Sequence, residues 1–178
     1  GAAYLFSFTD ADFTGGTLES TFGKDYTRSN PKDVNVTLDD TDNFGTSVSF
    51  NGAGDRLAVG ARLDDGADNV GSGIGAAYLF SFSDTNFSRG TLESTIGKGY
   101  TGGKNVDVAN LEDGDFFGDS ISLNGAGDRL VVGATGDDGE SNSANLSGAA
   151  YLFSFTDTNF TGGTLESTIG SGYTGGKN

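Results

Sequence analysis

The chain has 178 residues, a formal net charge of −15, 31 Gly, one Pro and no His, Cys, Met or Trp. Without His or Cys it has no Ser-His-Asp triad, no Cys-His dyad, no zinc finger and no disulfide framework. Its acidity argues against nucleic acid as a partner, and no apolar run approaches the ~18 residues of a spanning helix, so membrane insertion is not expected either. Fourteen Phe and six Tyr are too many for a disordered chain.

The sequence repeats itself. GAAYLFSF stands at 1–8, 75–82 and 148–155, at offsets of 74 and 73 residues. GTLEST follows at 16–21, 90–95 and 163–168. GYTGGKN stands at 99–105 and 172–178, with DYTRSNP at 25–31 as its diverged counterpart, and NGAGDRL at 51–57 and 124–130. The organisation is therefore two full repeats, 1–74 and 75–147, and the first strands of a third, 148–178. Near-identity of the copies reads as recent tandem duplication in a longer array.

In chain order, the first run of each repeat, GAAYLFSF, sets Tyr4, Phe6 and Phe8 on one face and Ala3, Leu5 and Ser7 on the other. The next, TLESTFG, sets Leu18 and Phe22 against Glu19 and Thr21, which predicts a strand with one wet face. FGTSVSF puts Phe44, Thr46, Val48 and Phe50 together, opposite Gly45, Ser47 and Ser49. In DRLAVGA, Leu57, Val59 and Ala61 oppose Ala58 and Gly60. All but the second have one bulky and one small face, as a sheet buried on both sides needs, so the large side of one sheet can pack on the small side of its neighbour. TGG, NGAGD and DDG supply the turns, and no stretch has helical periodicity. The fold class is all-β: tandem four-stranded antiparallel blades of the propeller type, about 2.4 repeats, not closed within one chain. A sandwich or a solenoid built from the same strands is the alternative.

Three spaced motifs carry a family resemblance. Phe44-Gly45-Thr46-Ser47-Val48, Asp55-Arg56-Leu57-Ala58-Val59-Gly60-Ala61 and Gly75-Ala76-Ala77-Tyr78-Leu79-Phe80 occur in the order of an FG-GAP repeat, and Phe117-Gly118, Val132-Gly133-Ala134 and Gly148 to Phe153 repeat them. The chain resembles that family, which builds the β-propeller of integrin α chains and many bacterial surface proteins. The resemblance implies four-stranded blades and an extracellular or cell-surface setting. Many members carry a calcium loop before the Leu-x-Val-Gly-Ala strand; here that loop is Asn51 to Asp55 and Asn124 to Asp128, with fewer carboxylates than a calcium cage uses.

Acidic loops are the candidate metal sites. Asp40 and Asp42, like Asp113 and Asp115, stand at positions one and three of a loop with Gly at six, the spacing by which oxygen ligands converge on Ca2+. The other reading is a solvated turn closed by Asx hydrogen bonds. The same two readings apply to Asp64, Asp65, Asp68 and Asn69, and to Asp137, Asp138 and Glu140. No cofactor is required, and Ca2+ is the one candidate. Sequons at Asn35, Asn86, Asn145 and Asn159 are candidate glycan sites, with ordinary turn Asn as the alternative. Carboxylates that recur with the repeat do not make a unique catalytic pair, so no enzyme is expected. The expected role is a structural or adhesive repeat of an extracellular surface fibre or long adhesin, self-associating head to tail into an oligomer or filament by strand or blade complementation. The alternative is a closed propeller of several chains, stabilised by calcium, that binds protein or carbohydrate.

Overall fold

The computed structural model describes residues 1–26, 30–175 and 177–178; Thr27 to Ser29 of the diverged DYTRSNP segment and Gly176 of the last GYTGGKN lie outside the described residues. Twelve strands and no helix are present among them: β1 (Ala2–Ser7), β2 (Thr17–Gly23), β3 (Val34–Asn35), β4 (Phe44–Phe50), β5 (Arg56–Ala61), β6 (Ala76–Ser81), β7 (Thr91–Gly97), β8 (Val106–Asp107), β9 (Phe117–Leu123), β10 (Arg129–Ala134), β11 (Ala149–Ser154) and β12 (Thr164–Gly170). They form three sheets, β1-β2-β3, β4-β5-β6-β7-β8 and β9-β10-β11-β12, none closed on itself. Neighbours pair antiparallel, except that the two-residue strands β3 and β8 add parallel edges to β2 and β7. The architecture is all-β and propeller-type, as the alternation predicts.

The sheets are offset from the sequence period. The middle sheet takes β4 and β5 from the first repeat and β6 to β8 from the second. Each complete sheet therefore opens on the Phe-Gly strand, and the first sheet has no counterpart of β4 and β5 among the described residues.

Large faces pack on small faces, as expected. Ala3, Leu5 and Phe22 of the first sheet share a core with Leu57, Val59, Tyr78 and Phe80 of the second. Ala58, Ala77, Leu79 and Ile96 of the second share another with Leu130, Val132, Tyr151 and Phe153 of the third. Phe22 meets Phe80 edge to face at 4.9 Å. Burying one such ring contributes roughly 1.5–3 kcal/mol.

Two details of the strand reading are corrected. Where β1 pairs with β2 the register shifts between Leu5 and Phe6, so that Leu5 faces Ser20, Phe6 faces Leu18, and Glu19 of β2 is left over as a bulge. The bulge turns Leu18 to the opposite face from Phe22. Leu18 is accordingly exposed, whereas Thr21, expected to be wet, is buried. A second irregularity, between Phe44 and Ser47, takes Gly45 and Thr46 out of the ladder, and the Thr46 hydroxyl donates back to the Asn43 carbonyl at 2.6 Å.

Between sheets, the innermost strands approach closely. Ser47 Oγ donates to the Gly118 carbonyl at 2.7 Å, and Ser49 Oγ accepts from the Leu123 amide at 2.9 Å. At Gly118, whose φ is +91°, a Cβ would lie 2.5 Å from the Ala76 carbonyl oxygen. The Phe-Gly motif places its glycine where the backbone turns left-handed against the previous unit. Lysines clasp the next unit: Lys32 Nζ donates to the Asn86 carbonyl and Lys104 Nζ to the Asn159 carbonyl, both at 2.8 Å.

Candidate functional site

The polar groups converge at the sheet junctions, and they do so twice. After β5 the chain folds back, the Gly75 amide donating to the Asp64 carbonyl at 2.8 Å. That fold carries the Asp64 side chain under the Tyr of β6. Tyr78 donates its hydroxyl to Asp64 Oδ2 at 2.6 Å, Tyr100 donates to the same carboxylate at 3.0 Å, and the Gly66 amide adds a third donor at 2.9 Å. One repeat later, Asp137 accepts from Tyr151 at 2.5 Å, Tyr173 at 3.0 Å and the Gly139 amide at 2.8 Å.

Asp42 completes the first cluster and Asp115 the second. Asp42 Oδ2 accepts from the Asp39 amide at 2.7 Å, and Asp115 Oδ2 from the Glu112 amide at 2.8 Å. Both carboxylates are pushed up to about 6, by burial first and then by the negative charge of Asp64 or Asp137 nearby. Burial also raises Asp64, against the hydrogen bonds that favour its charged form. It raises the phenols of Tyr78, Tyr100, Tyr151 and Tyr173 as well, so these remain proton donors. Each cluster borders a cavity, of about 260 Å³ around Asp42, Asp64 and Tyr100 and about 680 Å³ around Asp115, Asp137 and Tyr173.

The expected metal ligands are not brought together. Asp40 points to solvent and pairs with Lys24 at 2.9 Å, while Asp42 turns inward. Asp113 accepts from the Ser72 amide at 3.0 Å, while Asp115 turns inward. Among the described residues no three acidic side chains form a metal-holding group. The loops in the family's calcium position do not fit the ion either. Asn51 Nδ2 donates to Asp55 Oδ1 at 2.8 Å, and Arg56 Nη1 lies 3.3 Å from Asp55 Oδ2. Asn124, Asp128 and Arg129 repeat the arrangement. An arginine thus stands where a cation would.

All four sequon asparagines are exposed. Asn159 is engaged between sheets, its Oδ1 accepting from Arg56 Nη2 at 2.8 Å. Asn35 Oδ1 accepts from the Asp25 amide at 2.8 Å. Asn86 and Asn145 lie in turns.

The junction tyrosines are the residues that sequence reasoning missed. Their signal is the recurrence of Tyr in GAAYLF and GYTGG together with the first Asp of DDG.

Comparison with known proteins agrees with this geometry. An FG-GAP repeat model matches residues 38–80 and 109–153, the two segments that run from the loop before the Phe-Gly strand through the Ala-Ala-Tyr-Leu-Phe strand. No curated protein matches the chain. FG-GAP repeats usually occur in extracellular or surface proteins, and their fold is typically non-enzymatic. No helix here is long and apolar enough to cross a membrane. With its two matched segments and its blade-like sheets, the chain belongs to the FG-GAP repeat family.

Proposed function

We propose that the chain is a non-catalytic structural or adhesive repeat of an extracellular surface, assembling end to end by stacking blade on blade. One observation carries this reading: the two outermost sheet faces are complementary in the way the internal ones are. On the outer, large face of the first sheet, Tyr4 is 55 % and Phe6 49 % exposed, whereas their counterparts Tyr78 and Phe80 are buried. On the outer, small face of the third sheet, Val131 is 40 % and Ile169 58 % exposed, whereas their counterparts Ala58 and Ile96 are buried. The third sheet of one molecule presents to the first sheet of the next what the second presents to the third. Such a contact is heterologous and propagates rather than closing a pair.

The charge of −15 opposes the contact at low salt and is screened at physiological ionic strength. Asn86 and Asn145, exposed in turns and without a side-chain hydrogen bond among the described residues, are the sequons that leave room for glycans. Sedimentation at rising concentration in 0.15 M salt tests the reading. Oligomers that Ile169→Asp dissolves, with the fold intact, support it. A monomer at every concentration refutes it.

A further inference from the structure

The cavity at the first cluster, about 260 Å³ in volume, is lined by residues that all lie between Thr37 and Asn105. Asp39, Asp42 and Asp64 are among them, and no lysine or arginine is. Elsewhere the fold supplies its half-buried carboxylates with a cation: Glu19, Glu93 and Glu166 each meet a lysine, and Asp55 and Asp128 each meet an arginine. Asp42 is only 5 % exposed and has no such partner among the described residues. Its Oδ2 accepts from the Asp39 amide, while its Oδ1 accepts no hydrogen bond among the described residues. No enclosed side-chain oxygen among them goes unbonded, so Oδ1 is not sealed in the protein; it opens onto the cavity that Asp42 lines. Asp115 repeats the arrangement one unit later, 5 % exposed, with Oδ2 bonded to the Glu112 amide and Oδ1 free on the second cavity. An ionised carboxylate withdrawn from water with one oxygen unbonded is costly until a positive group meets it.

We propose that this cavity binds a primary alkylammonium group, its nitrogen donating to Asp42 Oδ1. The arrangement of acceptors selects this cation over others. Among the described residues no three acidic side chains converge to hold a metal. A guanidinium fork uses both oxygens of one carboxylate. Here Asp42 Oδ2 is taken by the Asp39 amide, and both oxygens of Asp64 are taken by Tyr78, Tyr100 and the Gly66 amide. An ammonium is a compact point charge that one strong acceptor can anchor. The negative charge of Asp64, close enough to act on Asp42, adds to the attraction without a bond of its own. Leu92, 41 % exposed, lines the same cavity and offers an apolar surface to the methylenes behind the nitrogen. Such a group is the end of a lysine side chain or a free alkylamine. The site goes beyond the end-to-end reading and does not rest on it.

The test titrates n-butylammonium chloride into the full chain at pH 7.5, where Asp42 is ionised, and follows amide NMR shifts. Potassium chloride at equal ionic strength is the control for screening, and n-butanol the control for the uncharged stem. The expected result is a saturable shift at Asp42, Asp64 and Gly66, with a dissociation constant on the order of 1 mM, that neither control reproduces. n-Butylguanidinium should bind about fivefold or more weakly. Asp42→Asn keeps the side chain's size and can still accept from the Asp39 amide, and it should lower the affinity about tenfold or more. Its own amide spectrum shows that the fold is kept. Leu92→Ser, at an exposed position, should weaken n-butylammonium about threefold and leave methylammonium unchanged. N-acetyl-lysine N-methylamide separates the two sources. Binding as tight as that of n-butylammonium assigns the site to lysine side chains, and its failure beside a binding n-butylammonium assigns it to free amines. Shifts that potassium chloride reproduces overturn the proposal. So do shifts that survive Asp42→Asn, and so does equal binding of n-butylguanidinium.

Discussion

Tyr78 donates its hydroxyl to Asp64 at 2.6 Å across 14 residues of sequence, and Tyr151 makes the same bond to Asp137 one repeat later. Both partners of each pair are buried, so losing the donor leaves a buried carboxylate short of one bond. Tyr78→Phe should cost about 1–2 kcal/mol in denaturant unfolding. Tyr4→Phe removes an exposed hydroxyl and should stay within about 0.5 kcal/mol. Equal losses would mean that the junction cluster does not matter to stability.

Acid should stabilise this protein over part of the range. Asp42 and Asp115 sit at about 6 in the folded chain against an ordinary 3.8. Groups raised in this way contribute stability that is full below about 4 and is lost as pH rises through about 6. Asp39, Asp64 and Asp65 face the first of them, and Glu112, Asp137 and Asp138 the second, without a nearby cation among the causes. Glu19, Glu93 and Glu166 lie below their ordinary value: Lys32 and Lys177 lead for Glu19 and Glu166, and at Glu93 burial, which opposes, is outweighed by Lys104 and Ser81. Their contribution is lost in the opposite sense, at more acid pH. The melting temperature should therefore rise from pH 8 to pH 5 and fall below pH 4. Asp42→Asn with Asp115→Asn should raise it at pH 7.5 and flatten the upper limb. A melting temperature that climbs steadily from pH 5 to pH 8 would count against the buried cluster.

Glycine at the Phe-Gly step is a packing requirement. Gly118→Ala combines a φ of +91° with a Cβ 2.5 Å from the Ala76 carbonyl oxygen. It should cost more than about 2 kcal/mol. Gly54, at φ +72°, has open space around its missing Cβ. Gly54→Ala should cost about 1 kcal/mol. Thermal unfolding of the two variants separates conformational strain from collision.

Much of this was legible in the sequence. Alternation in GAAYLFSF and DRLAVGA places Tyr78 and Leu79 on opposite faces, and the cores formed there follow the large-on-small rule. The wet-face reading of TLESTFG failed at Leu18 because a bulge at Glu19 inverts every side chain before it, and no spacing in the sequence marks a bulge. Val34–Asn35 and Val106–Asp107 are too short to show a period. Asp64 and Tyr100 meet across 36 residues through a loop that folds back, which alternation within strands does not encode.

Arg56 and Arg129 bear on calcium. Each stands beside the aspartate of the loop in which the family resemblance implies calcium. Chelator treatment should leave the melting temperature unchanged within about 1 °C, and millimolar Ca2+ should not raise it. A chelator-sensitive transition would show that these loops bind the ion despite the arginine.

End-to-end stacking is tested most directly by electron microscopy of the chain at physiological salt, with Ile169→Asp alongside. The account predicts filaments whose axial repeat matches one three-sheet unit, absent from the variant. Closed rings, or separate single molecules in both samples, would contradict it.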